Sequence, residues 1–527
     1  MNMTGSMEGD PLDDDYWDIF PPVGISWNYP DALTQKFYNN SELLATFDPL
    51  NDTSPYNNIT YLSYSGDVAH TALYEGVYTA GEAFRYAWAK RHNNVGNKTA
   101  ALNRLRILVK GYKLISEVAW KDSGRSYGAW VRYALPDTPK AREFFPASFY
   151  TTADHYNVTY KGFDWSCSRH ISRDVTIGCL FGLTMIYALV DDDDLRETTG
   201  DIIDRTVQWF YDCNWRIIDV DGVQHTSGDF EGSRPLSSGD IILTFLQMGK
   251  LVNPEKWGSI YEHYVYDRGM IHTIGRSLRS GIDLSSKIFS GYYGCNFLYN
   301  DAPTLIFLET DPVLREIYIK NWLNVLHDFT KFHRNANFDV VWLLCHTEIE
   351  ITDDFYDKPK IKLQDYDIDV WRNAEHFEEP TDKNYIIEFC TRDIKDCLMR
   401  YAVKRYPNRN FHYSTTPGTF PNRHQQPIFD KLEYYPKYDY WEPEPSVMDF
   451  VNSLIAIVEG ESGDDDAGIL NNALPVDLRA CEDIMWQRNS FTVETTQQIP
   501  ANPGLFQAPA GPEYLSVYWM AKYLELF

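Results

Sequence analysis

What most constrains this chain is a helical period of apolar residues that recurs in paired segments along most of its length. Val68 to His92 carries apolar residues at Val68, Ala72, Leu73, Val77, Ala80, Phe84 and Ala87, the three-to-four spacing of one helix face. After a polar turn at Asn93 to Lys98 the spacing returns from Ala101 to Trp120, through Leu102, Leu105, Leu108, Val109, Tyr112 and Ile115. Two such segments joined by a short turn predict a helical hairpin. The unit recurs in Asp174 to Val190 with Leu195 to Trp215, in Asp240 to Leu251 with Pro254 to Ile274, and in Tyr293 to Leu308 with Pro312 to Phe332. Asn337 to Glu350 with Asn384 to Tyr406, and Val447 to Val458 with Glu513 to Leu526, complete six pairs. No solenoid repeat motif accompanies them. The expected fold is therefore mainly α, a closed (α/α)6 toroid of helical hairpins with parallel inner helices and returning outer ones.

Residues 1–65 are rich in Asp, Asn, Pro and Tyr without a period and predict an extended N-terminal arm. Residues 66–527 then form a single toroid domain, with insertions near 121–170, 219–239, 351–383 and 407–444. Loops of that length in a compact fold tend to carry function.

Three segments carry a family resemblance: Ser65-Gly-Asp-Val-Ala-His-Thr-Ala-Leu-Tyr-Glu-Gly76, Ser172-Arg-Asp-Val-Thr-Ile-Gly178 and Glu513-Tyr-Leu-Ser-Val-Tyr-Trp-Met-Ala-Lys-Tyr523. Over roughly residues 65–527 the chain resembles the six-hairpin glycosidase-like, or alpha/alpha-toroid, superfamily of carbohydrate-active enzymes. The resemblance implies a toroid fold and an enzyme acting on glycosidic bonds. It is a likeness of architecture and transfers no catalytic residue.

Charge narrows the partners. Asp plus Glu number 75 against 48 Lys plus Arg, a formal net charge of -27 that repels phosphate backbones and anionic lipid. Nucleic-acid binding is not expected. The longest apolar run, Ile177 to Val190, falls short of the roughly 20 residues that span a bilayer, so no membrane segment is expected. No signal peptide is visible, whereas Asn-x-Ser/Thr acceptors at Asn2, Asn39, Asn51, Asn58, Asn97 and Asn157 lend weak support to an extracellular or secretory location. The eight cysteines are scattered, without CxxC or zinc-type Cys/His spacing, and no phosphate loop, GxSxG elbow or HExxH occurs. Neither a cofactor nor a metal is expected.

The chemistry-bearing residues gather where the inner helices begin. Asp67 and His70 open the first; Arg169, His170, Arg173 and Asp174 the second; Ser238 and Asp240 the third. Asn296, Asn300 and Asp301 lie early in the fourth, and Asn335 and Asn337 open the fifth. If inner helices are parallel, these starts share one end of the toroid, where unpaired N–H groups and the positive dipole end favour oxygen ligands. Helix capping alone accounts for many of them. The loop from His225 to Arg234 adds Asp229 and Glu231, and Lys331 to Asp339 adds His333.

Glycoside hydrolysis needs a protonated carboxylic acid and a second carboxylate, which Asp174 with Asp229, Glu231 or Asp240 would supply. Uronate elimination needs a base and groups that neutralise a carboxyl, for which His170, Arg173, Tyr293, Asn296, His333 and Asn335 fit. Arg169 and Asn337 are further substrate contacts, and Trp165 and Tyr293, with Tyr292 and Trp342, suit sugar stacking or a core. The expectation is a glycosidase acting on a poly- or oligosaccharide, with a polysaccharide lyase as one alternative and a non-catalytic helical binding or structural protein as another.

Overall fold

A computed structural model of the chain describes residues 71–118, 130–132, 134–137, 139, 142, 150, 155–160, 163–168, 171–218, 224–230, 238–274, 298–330, 335–348, 359–363, 386–391, 394–395, 398 and 511–527. Helix dominates these residues, so the fold is mainly α. The proposed N-terminal arm, the insertion at 407–444 and the helix at Val447 to Val458 lie outside them.

The first hairpin is formed by α1 (Thr71–Arg91) and α2 (Val95–Glu117). α1 ends on Lys90 and Arg91, cations suited to the negative end of the helix dipole. Asn93 then takes a left-handed φ of 55°, and the Asn94 side chain caps α2 by accepting the Asn97 N–H at 3.0 Å. α2 therefore starts ahead of the Ala101 expected from apolar spacing. Its first turn, with Val95, Gly96 and Thr99 exposed, buries too little to show a period.

α1 is buried on nearly every side, because α2, α3 (Arg173–Leu189) and α11 (Gly511–Tyr523) all pack on it. Glycine makes two of these approaches possible. A Cβ on Gly76 would sit 1.8 Å from the carbonyl oxygen of Gly178, and one on Gly182 would sit 2.6 Å from that of Gly76, so α1 and α3 meet backbone to backbone. On the other flank a Cβ on Gly81 would sit 2.9 Å from the Ser516 Cα of α11. The described parts of the three segments that carry the sequence resemblance thus lie on α1, on the start of α3 and on α11, with α3 and α11 both packed on α1.

Between α2 and α3 the described part of the insertion holds a small antiparallel sheet. β1 (Ala134–Pro136), β2 (His155–Tyr160) and β3 (Phe163–Ser168) are ordered β1-β3-β2, with Trp165 opposite both Pro136 and Val158. Pro136 sits on an edge strand, where its missing N–H breaks no central ladder.

α4 (Asp193–Asp212) returns along α3 from an Asp192 cap and packs on α2 and α5 (Ser238–Val252). The bulged hairpin of β4 (Arg216–Ile218) and β5 (Gln224–Asp229) joins α4 to α5. The stretch expected to be a flexible loop is therefore strand as far as Asp229, which pairs with Arg216 across an Asp-Gly-containing turn sequence.

α6 (Pro254–Glu262) starts at an Asn253 cap with Pro254 in its first turn. The single helix expected to Ile274 instead widens into a π-turn, His263–Asp267, and breaks at Gly269 (φ 68°) before a 3-10 turn, Met270–His272. α7 comprises helical residues 298–302 and the π-turn Pro303–Phe307; a proline there lacks the N–H that the regular ladder needs. α8 (Pro312–Tyr318) passes through a third π-turn, Ile319–Leu323, into α9 (Asn324–Thr330). α10 (Ala336–Cys345) is wholly buried. It stops short of the expected Glu350, because the chain turns into β6 (Thr347–Glu348), paired with β7 (Lys360–Ile361).

α5 packs on α7, α7 on α10, α10 on α11, and α11 back on α1. Around this apolar interior, polar clamps tie helices together. The buried Glu309 accepts from Lys250 Nζ at 3.0 Å and Tyr261 Oη at 2.6 Å, joining α5 to α6. Asp204 accepts from Lys256 Nζ and from the Trp257 indole at 2.6 Å, joining α4 to α6.

Candidate functional site

The starts of α3, α5 and α7 bring together the chemistry that stands out among the described residues. On α5, Asp240 is buried, and burial pushes its carboxyl up to about 7; the backbone N–H groups of Asp240 and Ile241, and the Arg173 cation at the start of α3, pull the other way. On α7, Asp301 has no exposure, and burial first and the Asp240 charge second push its carboxyl well above the usual range. Neither Asp301 oxygen has a hydrogen-bond partner among the described residues. Beside it in sequence, Asn300 Nδ2 and Thr304 Oγ1 are likewise buried without a partner.

This is a carboxyl pair whose members sit in unlike surroundings. Asp240 has three groups favouring its ionised form, and Asp301 has none that the structure records. Burial raises both carboxyls, and an ionised Asp240 raises Asp301 further. Two coupled carboxyls in unlike surroundings are groups that acid–base chemistry can use.

The expected site residues divide between the described and undescribed parts of the chain. Arg173 occupies the first turn of α3, half-buried, within electrostatic reach of Asp240. Asp174 follows it in the same turn. Asp229 ends β5, paired with Arg216, on the strand that leads toward α5. Asn335 caps α10, its Oδ1 accepting the N–H groups of Asn337 at 2.9 Å and Phe338 at 3.2 Å. Asn337 is buried with its Nδ2 unpartnered among the described residues. Trp165 is a core residue whose indole donates to the Tyr160 carbonyl at 3.3 Å. Arg169, His170, Glu231, Tyr293, Asn296 and His333 lie outside the described residues.

Sequence reasoning set Asp301 among the polar groups that open the inner helices but gave it no catalytic role. The signal was present: Asn300, Asp301 and Thr304 interrupt the apolar run Leu298 to Leu308, where solvation alone gives polar groups no reason to sit. Its partnership with Asp240 needed the packing of α5 on α7.

No helix among the described residues is long and apolar enough to cross a membrane. Comparison with protein-family models, curated proteins and solved structures returns no match for the chain.

Proposed function

We propose that the protein is a carbohydrate-active enzyme that hydrolyses glycosidic bonds, with its helices disposed as an (α/α)6 toroid and its catalytic carboxyls at the N-terminal mouth of the inner ring. The observation that carries the reading is the Asp240–Asp301 pair, two buried and electrostatically coupled carboxyls, both raised above the ordinary range. Asp301 is the general acid on the leaving oxygen, and Asp240 is the carboxylate that acts as base or nucleophile. Arg173 favours the ionised form of Asp240 against the effect of burial. These two aspartates thus take the roles for which Asp174, Asp229 and Glu231 are the other candidates.

Further features support the reading. The packing of α11 on both α1 and α10 is what a closed ring requires. Asn300 and Thr304 carry groups without a partner among the described residues, and such groups match sugar hydroxyls, which both donate and accept. The net charge of -27 favours a neutral glycan over a polyuronate.

The test is a screen of neutral and uronate-containing polysaccharides on wild type, Asp240→Asn, Asp301→Asn and Asp174→Asn, reading reducing ends and the unsaturated-uronate chromophore in parallel. Reducing ends without chromophore, lost by about 100-fold or more in Asp240→Asn and Asp301→Asn, are expected. Chromophore formation makes the enzyme a lyase. Activity retained in both variants moves the site to Asp174, and no turnover on any glycan favours a binding or structural protein.

A further inference from the structure

Away from the carboxyl pair, three metal-ligating side chains meet in the core. His327 comes from α9, Asp339 from α10 and Cys390 from the helical residues 386–391. One donor atom from each lies within 4.8 Å of the other two, and all three side chains are buried. From this convergence we propose that the protein binds a zinc ion through His327, Asp339 and Cys390.

The geometry suits a metal as well as an ion pair. His327 Nε2 and Asp339 Oδ1 are 3.3 Å apart. A charge-assisted N–H···O bond between buried partners closes to about 2.7–2.9 Å. Two ligands at about 2.0–2.1 Å from a tetrahedral zinc are instead separated by about 3.3 Å, the edge of the tetrahedron. The Cys390 thiol lies within 4.8 Å of both, near enough to serve as a third donor, and zinc takes thiolate, imidazole and carboxylate together.

The imidazole is also held in orientation. Its ring stacks on the Trp342 indole, with centroids 4.2 Å apart and planes at 9°, while Trp342 Nε1 donates to Asn324 Oδ1 at 2.8 Å. Fixing the ring plane of a histidine ligand is what the surroundings of metal sites do. Three protein ligands leave a fourth position for water. The ion would tie residues 386–391 to α9 and α10, a join made by elements distant in sequence. That distance explains why no Cys/His spacing announces the site.

The test uses the full chain and the metal alone. Wild type incubated with zinc and desalted is expected to carry about one zinc per chain, with affinity falling at least about tenfold in His327→Ala and Cys390→Ala. Cys213→Ser, which alters a half-buried cysteine elsewhere, is expected to leave zinc binding unchanged. Cobalt in place of zinc should give tetrahedral d–d bands and a thiolate-to-cobalt charge-transfer band, the latter absent in Cys390→Ser. Desalted wild type without stoichiometric metal, or a thiolate band that survives in Cys390→Ser, would overturn the proposal. Should the variants fail to fold, the cobalt spectrum of wild type decides, since a loaded protein with no thiolate band refutes the ligand set.

Discussion

Asp240→Asn should change how stability depends on pH more than it changes stability itself. The native carboxyl is pushed up to about 7, against about 4 in an unfolded chain. The folded state therefore binds this proton more tightly than the unfolded state does. Where the native state holds more protons, stability falls as pH rises. The stability linked to the proton is present in full below about pH 4 and lost as pH climbs through about 7. Between pH 5 and 8 the loss amounts to about 3 kcal/mol, from about two pH units of differential protonation at about 1.4 kcal/mol each. Asp301, pushed in the same direction, steepens the wild-type slope further. Asparagine at position 240 carries no charge to desolvate and mimics the protonated acid. Urea unfolding of wild type and Asp240→Asn followed from pH 5 to 8 should begin with similar midpoints and separate, the variant becoming the more stable by about 3 kcal/mol at pH 8. Parallel profiles would show that Asp240 is solvated and ordinary, and would remove the basis of the carboxyl pair.

Other perturbations give equally definite outcomes. Gly76→Ala would drive a methyl into the Gly178 carbonyl and should cost about 3 kcal/mol or more, whereas Gly258→Ala on α6, whose Cβ meets nothing within 4 Å, should gain about 0.5–1 kcal/mol; denaturant melts compare them directly. Glu309→Ala removes the acceptor shared by Lys250 and Tyr261 and should cost about 3 kcal/mol by the same assay, with Glu309→Gln recovering part of it. Asn335→Ala should cost about 1–2 kcal/mol and Asn335→Asp much less, because the side chain caps α10; a loss of glycan turnover in Asn335→Asp at intact stability would give the residue a substrate role as well. Hydrolysis should rise with pH through about 7 as Asp240 ionises, a limb that Arg173→Gln should move to higher pH.

The helices were readable where burial is one-sided. α4 shows its face plainly, because Leu195, Ile202, Ile203, Val207 and Phe210 point inward from an otherwise polar surface. α1 and α10 are buried almost all round, so their sequences announce a helix without saying what it touches. The breaks in α6 and α8 were not readable, since a π-turn needs only a shifted hydrogen bond and leaves the apolar spacing nearly intact. The strand at Gln224–Asp229 lacked alternation and passed for loop. At the site, capping explained Asp240 and Asn335 equally well from sequence. Only the meeting of Asp240 with Asp301, which depends on α5 packing against α7, separates an acid from a cap.

The seating of α11 against α1 sets the timetable of biosynthesis. α1 leaves the ribosome long before the helix that covers its Gly81 flank, which lies more than 400 residues downstream. At ordinary elongation rates that interval is on the order of a minute, during which α1 waits for that partner. Joining residues so far apart also gives the fold a high contact order, which slows its completion once all the parts are present. The Gly81 flank of α1 thus stays uncovered until α11 has been made and has docked.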